Sequence, residues 1–148
     1  MRLLLLAAWT ASMAPALDLC VRNEAGLDNG TLLLTMHHIR QNPGKAGRLS
    51  FACSASAVRV TFAAHQEGPH PPDALGATRS AGGKILPDII VFTRSVLQML
   101  GEAGVDGQAR ALAKVVAHEL SHYFRQQRGH DEGLDKPFLD AQELIALR

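Results

Sequence analysis

The period of apolar and polar positions changes several times along the chain. Leu17 to Asn23 (LDLCVRN) alternates as a half-buried strand does, and Glu24 to Gly30 is rich in turn formers. Thr31 to Arg40 carries apolar residues at helical spacing until Asn42, Pro43 and Gly44 stop it. Arg48 to Cys53 and Ala57 to Ala64 read as strands, the second with clear alternation at Val58, Val60 and Phe62. His65 to Gly83 begins with a proline-rich loop and continues in Gly, Ala and Ser, so it reads as one long irregular segment, of the length that tends to carry function. Ile85 to Phe92 is the most apolar strand, with Pro87 confining its start to an edge or a bulge, and Ser95 to Leu100 reads as a short helix stopped at Gly101.

The strongest helical pattern follows. From Asp106, read as the N-cap, the segment GQARALAKVVAHELSHYFRQQ has no Gly or Pro after its first residue, and a helix is expected over Gly107 to Gln127. On a wheel of about 100° per residue, Leu112, Val116, Leu120, Tyr123 and Phe124 share one arc, and Arg110, Lys114 and Arg125 lie opposite. Phe138 to Leu147 reads as a short terminal helix. The expected fold is α+β: a mixed sheet, a first helix packed on it, and the long helix beside it.

Composition narrows the class. With 148 residues and 47% hydrophobic residues, the chain suits one globular domain and excludes a disordered or collagenous chain. Its 15 Lys+Arg against 14 Asp+Glu leave a formal charge of +1, too little basic surplus for a nucleic-acid binder. The apolar residues are unevenly spread. Residues 1 to 16 (MRLLLLAAWTASMAPA) combine a basic start, an apolar run and a small-residue end, the three parts of a secretory signal peptide. The run is shorter than the roughly 20 residues needed to span a bilayer, so the expected mature chain, residues 17–148, is secreted or periplasmic and free of the membrane. In an oxidising compartment Cys20 and Cys53 would either bridge or remain as small buried thiols, and the sequence leaves both open.

Within the long helix, His118-Glu119-Leu120-Ser121-His122 spells HExxH. Two His at i and i+4 share one helix face, so both imidazoles can reach one Zn²⁺ ion. Glu119 projects beside them as a general base toward a water acidified by the ion, which is the chemistry of amide hydrolysis. With seven His in the chain, an accidental HExxH arises in roughly one shuffled sequence per hundred, so the helical context carries much of the weight. A structural zinc site or a hydrogen-bonded histidine pair is the competing reading. Catalytic zinc takes a third protein ligand, for which His130, just past Gly129, leads; Asp131, Asp135 and Glu143 are alternatives. His65 and His70 are candidates to hold an oxyanion. His37 and His38 read as surface or packing residues.

The stretch VVAHELSHYFRQQRGHDEGL resembles the small exported bacterial HExxH proteins of the metzincin-like group. These show HExxH, seven residues, a third His, then Gly-Leu or Gly-Ile followed by Met; the strands between Arg40 and Phe92 match less specifically. The resemblance implies a metzincin-like mixed sheet, His118, His122 and His130 as ligands, Glu119 as base, and Gly133 with Leu134 in the turn beneath the metal. It implies a secreted zinc metallopeptidase acting on peptide or protein substrates. The pattern departs from typical metzincins in having Arg125 and Arg128 where they carry Gly and the third His. Asp135 stands in place of the Met, and Ser121 in place of a frequent Gly. The alternative is a non-catalytic secreted zinc-binding domain, or a degenerate peptidase that only binds peptides.

Overall fold

A computed structural model describes residues 16–127 and residue 144. The fold is α+β, as expected. Five strands, β1 (Leu17–Asn23), β2 (Leu49–Ser50), β3 (Val58–Ala63), β4 (Gly76–Ala81) and β5 (Lys84–Phe92), form one mixed sheet in the order β2-β1-β3-β5-β4. The first four in that order run parallel, and β4 lies antiparallel at the edge beside β5. Among the described residues three α-helices of more than one turn accompany it: α1 (Asn29–Gln41), α2 (Thr93–Leu100) and α3 (Val105–Arg125).

Strand alternation and helix periodicity meet in the core. Registers Val60↔Ile89 and Phe62↔Val91 set these side chains on one face, where all four are fully buried. Against them α3 buries Ala111, Leu112, Val115, Val116 and Leu120, the i, i+3, i+4 rows of its apolar stripe. α3 also packs on β4, so it crosses the sheet at the edge that carries the antiparallel strand.

Several local expectations change. The first helix packs chiefly against α3 rather than the sheet, with Ile39 joining the core. α3 starts at Val105 with Gly104 as N-cap, so Asp106 lies inside the first turn. There its carboxylate bonds both Arg110 and the ring of His38, pinning α1 to α3. Phe124 falls off the apolar arc and is 38% exposed, while Tyr123 is half-buried against the core. The strand expected over Arg48 to Cys53 shrinks to Leu49–Ser50, because only Leu17 and Asp18 offer it partners.

The largest difference is β4, inside the segment read as irregular. GATRSA has little β propensity, and its pairing with β5 supplies what propensity does not. Gly82 and Gly83 close the hairpin, both at positive φ (57° and 78°). The register slips between Thr78 and Ser80, opposite the stretch of β5 holding Pro87, and β5 begins pairing with β3 only at Asp88. Pro87 thus sits at an irregularity although its strand is internal. Cys20 of β1 and Cys53, just after β2, form a disulfide.

Candidate metal centre

α3 carries the HExxH residues in its last two turns, where β4 packs against the helix. His118 and His122 are 8% and 9% exposed. Their rings meet nearly edge to face, with centroids 4.9 Å apart and Nε2 atoms 3.2 Å apart. Two nitrogens bound at about 2.05 Å to one tetrahedral ion lie about 3.3 Å apart, so this pair already has the separation zinc requires. The donor chemistry fits as well. His122 Nδ1 lies 2.9 Å from the carbonyl oxygen of Gln127, which can only accept; Nδ1 therefore carries hydrogen, and it is Nε2 that faces His118.

Glu119 is 5% exposed. The Thr78 hydroxyl, on edge strand β4, donates to its Oε2 at 2.6 Å. Burial raises the Glu119 carboxyl above its ordinary pKa, while the Thr78 hydrogen bond and the nearby His122 pull it down. The other oxygen, Oε1, lies beside Gly76. A Cβ built there would meet Val115 Cγ1 at 2.9 Å, the Ile90 carbonyl at 3.0 Å and Glu119 Oε1 at 3.1 Å. Thr78 and Gly76 share one face of β4, two residues apart, and together they line the carboxyl group. Reading the segment as irregular hid both. The Gly82-Gly83 pair before an apolar strand was the available hairpin signal.

His130, the expected third ligand, lies outside the described residues, as do Asp131, Asp135, Glu143 and the proposed Gly133-Leu134 turn. Of the expected terminal helix only Leu144 is described, helical and fully buried in the core cluster. Among the described residues, no group of three or more His, Cys, Asp or Glu is arranged to hold a metal ion. His70, offered as an oxyanion donor, packs its ring on Phe92 at the end of β5. His38 belongs to the α1–α3 contact through Asp106. No protein-family model matches the chain, and no curated protein or solved structure matches it.

Proposed function

We propose that the protein is an exported zinc-dependent metallopeptidase with a metzincin-like fold, acting on peptide or protein substrates. The observation that carries this reading is the buried His118–His122 pair at zinc-binding separation, with a buried carboxylate on the intervening helical position. His118, His122 and His130 would hold the ion, which when bound supplies acidification of a water molecule and polarisation of a peptide carbonyl. Glu119 accepts the water proton on a carboxylate oxygen and returns it to the leaving amine. Thr78 fixes the carboxyl group by donating to Oε2, and Oε1 lies beside Gly76. Burial raises the Glu119 carboxyl above its ordinary range, which makes its carboxylate a stronger base than an exposed one. Export is supported by the leader-like residues 1 to 16 and by the Cys20–Cys53 bridge, which persists in oxidising surroundings. Among the described residues no helix is long and apolar enough to cross a membrane.

Glu119→Gln separates this function from zinc binding alone. Wild type and variant are each expected to hold one zinc per chain, and only the wild type to cleave a broad peptide library. If both bind zinc and both are inert on that library, the chain is a non-catalytic zinc-binding or peptide-binding domain and the peptidase reading fails.

A further inference from the structure

The end of α3 is built as a clamp on His122. Gln126 N–H donates to the Tyr123 carbonyl and Gln127 N–H to the His122 carbonyl, the paired bonds of a Schellman motif. That motif needs a left-handed residue at its pivot, and here the pivot is Gln126 at φ 52°, ψ 36°, the sole non-glycine residue at positive φ among those described. Glycine is the usual occupant because a Cβ is strained there, so a glutamine calls for a compensating interaction. Its side chain supplies one. Gln126 Oε1 accepts from Ile85 N at 2.9 Å, and Nε2 donates to Ile85 O at 3.2 Å and to Tyr123 O at 2.8 Å. One N–H and two carbonyls around the amide fix which end is oxygen and which nitrogen. The turn is thereby fastened to the first residues of β5.

The consequence falls on His122. Reversal at Gln126 returns Gln127 over the last turn, where its amide holds the His122 backbone and its carbonyl holds the ring Nδ1–H. We infer that Gln126 is a positioning residue: by tying the end of α3 to Ile85 it holds the Gln127 carbonyl on His122 Nδ1, and so sets the tautomer and aim of the nitrogen facing His118. This rests on the reading of His122 as a metal ligand for its effect on zinc, and on the protein alone for its effect on the ring.

Gln126→Gly tests it, because glycine relieves the left-handed strain while removing the clamp. Damage from helix-end strain would improve in this variant, whereas loss of the clamp worsens it. Gln126→Asn, tolerant of the left-handed region but one methylene too short to reach Ile85, is the second variant. Zinc affinity measured by chelator competition is expected to fall about tenfold or more in both, in the range of other partners that orient a ligand. In metal-free protein, ¹⁵N NMR of His122 is expected to show the Nδ1–H tautomer in the wild type and a mixture in the variants. Folded variants that bind zinc as tightly as wild type, or that keep the wild-type tautomer, overturn the clamp. A wild type that binds no zinc refutes the ligand reading instead, and the tautomer comparison then decides the clamp by itself.

Discussion

Removing the Cys20–Cys53 disulfide should destabilise the fold by an amount set by chain length rather than by packing. The bridge spans 33 residues, from β1 through α1 to the segment after β2. Closing a loop of that size removes about 3.7 kcal/mol of unfolded-chain entropy at 25 °C by the loop-closure relation. Little packing opposes this figure, because Cys53 is exposed and Cys20 only half-buried, so Cys→Ala leaves no core cavity. The bridge also matters locally, since β2 pairs with β1 through two residues only. Denaturant unfolding of Cys20→Ala/Cys53→Ala against oxidised wild type is expected to show a loss of about 3 to 4 kcal/mol. For a domain of this size that is roughly 10–15 °C in Tm. Reduced wild type should coincide with the variant. If oxidised protein and double variant unfold within about 1 kcal/mol of each other, the cross-link does not constrain the unfolded chain as argued, and the stability case for an oxidising compartment is lost.

Gly76→Ala presses a methyl on the Ile90 carbonyl and on Glu119 Oε1; a backbone oxygen cannot step aside, so calorimetry should show a loss of about 1–3 kcal/mol. In the same variant kcat should fall more than zinc content, and unchanged kcat would separate β4 from the carboxylate. Stability should also decline in acid. Hydrogen bonds hold Asp28 below its usual carboxyl range, from the Thr31 hydroxyl and then the Thr31 amide, and hold Asp106 there from His38 and then Arg110. A lowered folded pKa contributes stability above the unfolded value of 3.8, and that contribution disappears as pH falls through the folded pKa. Denaturation midpoints should therefore drop below about pH 4, and Asp28→Asn, which keeps an acceptor for the Thr31 amide, should drop less.

The elements most legible in the sequence were those whose residues bury on a regular period. β1 was bounded at Leu17 and Asn23 by its alternation; α1, expected over Thr31 to Arg40 before the Asn42-Pro43-Gly44 stop, runs from Asn29 to Gln41 because Asp28 caps it two residues earlier. α3 differed from expectation only at its ends, where capping rather than periodicity decides. β4 was hidden because Gly, Ala and Ser carry no strand preference. It exists because β5 offers an unpaired edge and because α3 needs a small residue opposite Val115. Likewise the expectation that Phe124 shares the apolar arc failed since a wheel records angle but not where the neighbouring layer stops.

For the candidate site, sequence alone determined the His118 and His122 pair. An i, i+4 spacing on a helix is local geometry, and any well-formed α-helix places the two rings together. It likewise placed Glu119 next to them. The tertiary structure decided what surrounds those groups: the burial that raises the Glu119 carboxyl, the Thr78 hydroxyl that takes one of its oxygens, the glycine that leaves room for the other, and the Ile85 backbone that Gln126 grips. Thr78 and Glu119 stand 41 residues apart, as do Ile85 and Gln126. No local period encodes contacts at that separation, because they arise only when the β4–β5 hairpin is laid along α3. Local spacing could name the candidate ligands and base; packing alone supplied the dielectric, the hydrogen bonds and the tautomer on which their chemistry depends.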